Sequence, residues 1–111
     1  MTLPHLPFDP SCCLTNGVWR PPRTGEKLTL TNPSDGTKLA EIARGKAEDI
    51  DAAITSAANA FEKDWGRTPA AERGRILSKI SQLVMDRVDF LAHLEALDVG
   101  KPLKQARADA V

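Results

Sequence analysis

An α/β chain, in which a β-hairpin or meander leads into three to four α-helices, is what the order of patterns along this sequence predicts. Three observations carry that reading. Turn-punctuated segments of alternating apolar and polar residues run up to Ala43, and apolar residues then recur at helical spacing from Ala47 onward. Gly100-Lys101-Pro102 closes one helix and opens another, which runs to Val111 with no glycine or polar cap to end it. The sequence therefore reads as unfinished, and its function is expected to be shared with residues beyond it.

Residues 1–13 hold Pro4, Pro7 and Pro10, a spacing that suits an extended polyproline-like arm; ligands of proline-recognising modules share it, but a plain arm is the commoner use. At Asn16-Gly17 both residues tolerate the positive φ of a tight turn, so Leu14 to Arg20 is expected to form a hairpin. Lys27 to Thr31 alternates like a second short strand, and Asn32-Pro33-Ser34-Asp35-Gly36 is turn chemistry before Thr37 to Ala43 resumes the alternation. The strands are expected to run as a meander. Short strands cannot bury a face alone, so the helices that follow are expected to cover them.

From Ala47, the residues Ile50, Ala53, Ile54, Ala57, Ala58 and Phe61 share one helical stripe, with Glu48 and Asp49 in the first turn where the helix dipole favours them. Lys46 stands where a hydroxyl cap is usual, a weakness of about 1 kcal/mol, which predicts a frayed start. Thr68-Pro69 begins a second helix, on which Ile76, Leu77, Ile80, Leu83 and Val84 recur; a third carries Val88, Leu91 and Leu94 and ends at Gly100. These stripes are expected to be core. Phe61, Phe90, Trp19 and Trp65 would supply much of its bulk, because no tyrosine is present.

Bulk properties exclude several classes of function. Fifteen basic and fifteen acidic residues cancel, and they form no basic cluster of the kind that nucleic acid or an anionic membrane surface requires. No run of eighteen apolar residues and no basic-then-apolar leader is present, so the cytoplasm is the expected address. A chain of 111 residues buries about 65% of its unfolded surface, enough for one small domain of modest core. Cys12 and Cys13 are adjacent, form no disulfide framework and are expected to be reduced; no rigid element holds His5 near them as a base.

Catalytic patterns are missing. His5 and His93 stand far apart, the seven glycines are spread singly, and neither a metal-ligand spacing nor a phosphate-cradling loop can be assembled from them. His93 lies beside the Leu91 and Leu94 stripe and reads as a boundary residue. Glu95 and Asp98 are three apart on a helical face, which general acid/base pairs can use but which solvated carboxylates use more often. Asp98 meets the negative end of the helix dipole in the last turn, so something positive is expected beside it: Lys101, Arg107, amides of the Gly100 turn, or a cation.

Taken in register, Asn16-Gly17-Val18-Trp19, Thr31-Asn32-Pro33-Ser34-Asp35-Gly36, Ala47-Glu48-Asp49-Ile50-Asp51-Ala52-Ala53, Trp65, Arg73-Gly74-Arg75 and Leu94 to Pro102 closely resemble the amino-terminal part of the NAD(P)-dependent aldehyde dehydrogenase superfamily. The resemblance covers residues 14–111 and leaves the arm outside it. It implies a partial aldehyde dehydrogenase fold, with residues 14–111 forming the front of a Rossmann-like cofactor-binding domain. It further implies that the complete protein oxidises an aldehyde to the acid with NAD or NADP, and that it forms a homo-oligomer, dimer or tetramer. The family's catalytic cysteine, glutamate and cofactor-binding motif would lie beyond Val111, so no catalytic or cofactor-binding residue is assigned here, and Cys12 and Cys13 match none. Many members also bind a structural monovalent cation, K+ or Na+, and the matching positions are Leu30 and Thr31, through backbone oxygens, and Asp98, through its carboxylate.

Two readings follow. Either the chain is the front of a dehydrogenase and inactive alone, or it is a truncated non-catalytic module that associates with intact dehydrogenase subunits and exposes apolar stripes without them.

Overall fold

The computed structural model describes residues 2–111. Strands β1 (Cys13–Thr15), β2 (Val18–Arg20), β3 (Lys27–Thr31) and β4 (Lys38–Ala43) precede helices α1 (Ala47–Lys63), α2 (Ala70–Met85), α3 (Val88–Val99) and α4 (Leu103–Asp109), with a 3₁₀ turn at Trp65–Arg67 between α1 and α2. The α/β character and the four helices agree with the sequence reading. The strand connectivity differs from it: β1 pairs with β2 and β3 with β4 as two separate ribbons, so no meander forms. Pro21 and Pro22 account for the break, since neither can donate a ladder hydrogen bond between β2 and β3.

The chain forms two compact units, one of Leu6–Thr29 with Ala40–Pro69, the other of Met1–His5, Leu30–Leu39 and Ala70–Val111. In the first, β1 and β2 are antiparallel with Leu14 opposite Trp19, and the two-residue turn has φ 53° at Asn16 and 73° at Gly17. Both values are left-handed, which is what this tight hairpin requires. Phe8 of the arm stacks on Trp19 with ring centroids 4.8 Å apart, and the Ala43 amide donates to the Pro10 carbonyl at 2.9 Å, so the arm is pinned to its unit.

The start of α1 is better held than Lys46 alone would allow. One carboxylate oxygen of Asp49 accepts the Lys46 amide at 3.0 Å, and the other accepts the Arg23 amide, also at 3.0 Å. The Lys46 ammonium in turn pairs with Glu26 at 3.1 Å. Asp49, three residues into the helix, thus supplies the cap that the entry position lacks, and the predicted fraying is not found. The Lys46 and then the Arg23 amide hold the Asp49 carboxyl below the usual aspartate range. A lowered folded-state pKa stabilises the fold fully above the unfolded value of about 4 and stops doing so as pH falls through the folded value. Asp49→Asn should therefore lower stability at neutral pH, with the gap to wild type closing in acid; urea unfolding at stepped pH reads it.

The second unit centres on α3 and α4. Ala92, Ala96 and Ala106 form its buried cluster, with Val88 and Leu97 also buried. Lys101 ties the two helices, its ammonium donating to Glu95 at 2.5 Å and Asp109 at 2.6 Å, and Arg107 pairs with Asp89. Both acidic partners hold the Lys101 ammonium charged to higher pH than an ordinary lysine.

The core thus departs from the one the stripes predicted. Neither α1 nor α2 has a buried residue, Phe61 is 62% exposed, and Trp19 and Trp65 are also exposed; alanines on α3 and α4 form the core cluster instead. Periodicity reveals an apolar face, but not whether the chain at hand contains what packs on it.

Candidate functional site

Leu30 and Thr31 are the last two residues of β3, and Asp98 lies in the last turn of α3; all three belong to the same unit. The segment after Thr31 is a rigid turn. Asn32, 6% exposed, accepts the Ser34 amide on its side-chain oxygen at 2.9 Å, its own amide donates to Thr37 at 2.8 Å, and its carbonyl takes the Gly36 amide at 2.9 Å. Asp35 adds two bonds, accepting the Thr37 amide at 2.9 Å and its hydroxyl at 2.7 Å, and these hold the Asp35 carboxyl below the usual range. Such side-chain-to-backbone bonds fix a turn without help from a sheet.

Helix α3 ends directly against this turn. Gly100 has φ 74° and its amide closes the helix on Ala96 at 3.0 Å. A Cβ placed on Gly100 would lie 3.0 Å from Pro33 Cγ, so the backbone there touches the proline ring. Gly100, two residues after Asp98, thus lies against Pro33, two residues after Thr31.

The electrostatics of Asp98 narrow the choice. Of the cationic candidates, Lys101 is committed to Glu95 and Asp109, and Arg107 to Asp89; the Gly100 amide is spent on the helix. Among the described residues no hydrogen bond or ion pair reaches the Asp98 side chain, which is exposed at the negative end of α3. Of the two carboxylates Glu95 and Asp98, Glu95 is the one that holds a lysine. Carboxylate and carbonyl oxygens are hard donors, which suit an alkali cation far better than a soft metal. Among the described residues no group of three or more His, Cys, Asp or Glu side chains gathers as a transition-metal site.

His93 Nε2 lies 3.2 Å from the Thr2 carbonyl oxygen, where it fastens the start of the chain to α3. Cys12 and Cys13 are free and half-buried, and burial, followed by the nearby Asp9, pushes the Cys12 thiol up, opposite to what a nucleophile needs. The sequence reading missed Asn32 as the buried anchor of the turn and Lys101 as the helix tie. An Asn before Pro-Ser-Asp is a recognisable signal for the first; nothing local signalled the second.

No described helix is long and apolar enough to cross a membrane. The family model for the aldehyde dehydrogenase family matches residues 19–111. The chain is 40% identical over 97 residues to aminoaldehyde dehydrogenase 2 of Zea mays, a match covering 84% of this chain and 19% of that protein. It is likewise 40% identical over 93 residues to an aldehyde dehydrogenase of Rhodospirillum rubrum, covering 84% of this chain and 18% of that one. Among solved structures, betaine aldehyde dehydrogenase of Staphylococcus aureus, in complex with NAD+, matches with a TM-score of 0.91 at 28% identity, over 99% of this chain and 22% of that one. An aldehyde dehydrogenase of Brucella melitensis biovar abortus matches with a TM-score of 0.86 at 33% identity, over 90% and 20% of the two chains. The chain therefore spans about a fifth of the length of these relatives. With residues 19–111 matched and the strand pairs and helices superposing, the chain belongs to the aldehyde dehydrogenase family.

Proposed function

We propose that this chain is the amino-terminal portion of an NAD(P)-dependent aldehyde dehydrogenase that oxidises an aldehyde to the carboxylic acid, and that residues 14–111 form the front of its cofactor-binding domain. The observation that carries the reading is the family match over residues 19–111 of a chain spanning about a fifth of its relatives. NAD or NADP, when bound, accepts hydride from the substrate. The residues here contribute no nucleophile, no water-activating base and no phosphate cradle, so the 111-residue chain alone is inactive. The complete enzyme acts as a cytoplasmic homo-oligomer.

The part these residues play is structural. Asp98, with the backbone oxygens of Leu30 and Thr31, would hold a monovalent cation, K+ or Na+, whose charge offsets the unpaired carboxylate at the end of α3. That reading is supported by the close contact of Gly100 with Pro33 and by the commitment of Lys101 and Arg107 to other carboxylates.

The test is the native gene product in its source cell. Its intact mass is expected to be several times 12.0 kDa, and the purified product should form NADH or NADPH only when an aldehyde is added. A native product of 12.0 kDa, or a longer one that reduces neither cofactor with any aldehyde, would sink the reading.

A further inference from the structure

Asn16-Gly17 and Asp35-Gly36 both stand in tight turns, their glycines left-handed at φ 73° and 75°. Such pairs are open to one reaction. The glycine amide nitrogen attacks the preceding side-chain carbonyl carbon and closes a succinimide ring, an approach that no side chain on glycine hinders. With asparagine, the new C–N bond displaces the side-chain nitrogen as ammonia, which carries off the glycine amide proton. Water then opens the ring at one carbonyl or the other. The products are aspartate and isoaspartate, the latter with the main chain running through the side-chain carbon; nothing is oxidised or reduced.

The structure treats the two pairs oppositely. At Asp35-Gly36 both reacting groups are tied down. The Gly36 amide donates to the Asn32 carbonyl at 2.9 Å, and one Asp35 carboxylate oxygen accepts the Thr37 amide at 2.9 Å and the Thr37 hydroxyl at 2.7 Å. These bonds hold the Asp35 carboxyl below its usual range, so it stays ionised, and a carboxylate has no good leaving group to expel. At Asn16-Gly17 both groups are free. Both residues are exposed, and nothing lies within 4 Å of a Cβ placed on Gly17. Among the described residues neither the Asn16 side chain nor the Gly17 amide has a hydrogen bond.

One obstacle remains at Asn16. Ring closure needs the glycine nitrogen on the same side as the asparagine Cβ, and a left-handed asparagine, here at φ 53°, holds it on the far side. The turn must therefore open first. Its strands are three residues each, β2 is wholly exposed, and two-stranded ribbons of this kind are marginal on their own, so local opening is cheap. The stack of Phe8 on Trp19 braces the returning strand against it.

We propose that Asn16 is a modification site, converted spontaneously to aspartate and isoaspartate when the β1–β2 ribbon opens, while Asp35 is spared. Isoaspartate makes the opening permanent. It adds a methylene to the main chain, which a two-residue turn with both residues left-handed does not accommodate, so the pairing of Leu14 with Trp19 is lost. The freed α-carboxylate, at an exposed turn, is then a substrate for a carboxyl methyltransferase that uses S-adenosylmethionine.

The test incubates the purified native gene product in mildly alkaline buffer beside a synthetic peptide of residues 14–20. Peptide mapping and methylation by an isoaspartyl methyltransferase follow both. Conversion is expected at position 16 and not at position 35, more slowly than in the peptide. Trp19→Ala, with its helices shown intact by circular dichroism, should speed it by about threefold to tenfold. Asn16→Gly, which keeps the left-handed turn, should abolish it. Asn16 left intact while the peptide converts overturns the proposal, as does equal conversion at Asp35. A rate that matches the peptide, or that Trp19→Ala leaves unchanged, overturns it equally. Neither readout involves aldehyde or NAD+, so the outcome is independent of the family reading.

Discussion

Gly66→Ala should destabilise the first unit by about 3 kcal/mol, the upper end of what overpacking costs at a site that cannot relax. A Cβ at this position would stand 2.3 Å from the carbonyl oxygen of Phe61 and 3.3 Å from its carbonyl carbon. Both are backbone atoms in the final turn of α1, so no side-chain rotation relieves the overlap. The helix end must unwind or the 3₁₀ turn at Trp65–Arg67 must open. Gly74 is the natural comparison. Nothing lies within 4 Å of a Cβ there, so alanine in the body of α2 meets no obstacle. Urea unfolding of both variants separates the two cases, and Gly66→Ala as stable as wild type would refute the close approach.

Gly100→Ala should cost roughly 1–2 kcal/mol from the left-handed backbone alone, since φ 74° brings a Cβ against the carbonyl that follows it. The contact with Pro33 adds to this, because a Cβ 3.0 Å from Cγ forces the proline ring or the end of α3 to give way. The two terms are separable. Pro33→Ala removes the ring but leaves the φ, so in the Pro33→Ala background the Gly100→Ala penalty should shrink without vanishing. Equal penalties in both backgrounds would show that the turn and the helix end do not touch.

Local chemistry was legible in the sequence wherever one or two residues decide the backbone. Asn16-Gly17 announced its hairpin, Gly100 its left-handed cap, and the period beginning at Ala47 an α1 of the expected extent. Reading Lys46 by its own side chain went wrong, because the cap comes from Asp49 three residues later and from the loop holding Arg23. Burial was the least legible property. The stripes of α1 and α2 are as apolar as core stripes are, yet they stay exposed, and alanine, which no pattern singles out, forms the buried cluster. For the candidate cation positions Leu30, Thr31 and Asp98, the sequence offered only the dipole placement of Asp98 and a family resemblance. That Lys101 and Arg107 are engaged elsewhere depends on how α4 lies along α3, which no spacing rule encodes.

The alanine cluster of α3 and α4 has a thermal consequence. Three of the five buried side chains here are alanines, each hiding little more than a methyl group, so unfolding this unit wets less hydrocarbon than a core of bulky side chains would. Newly wetted hydrocarbon is what raises the heat capacity of an unfolded chain and bends its stability curve. This half of the molecule should therefore have a flat stability curve. Its stability should then vary less with temperature, on warming and on cooling alike, than that of a unit built on bulky buried side chains.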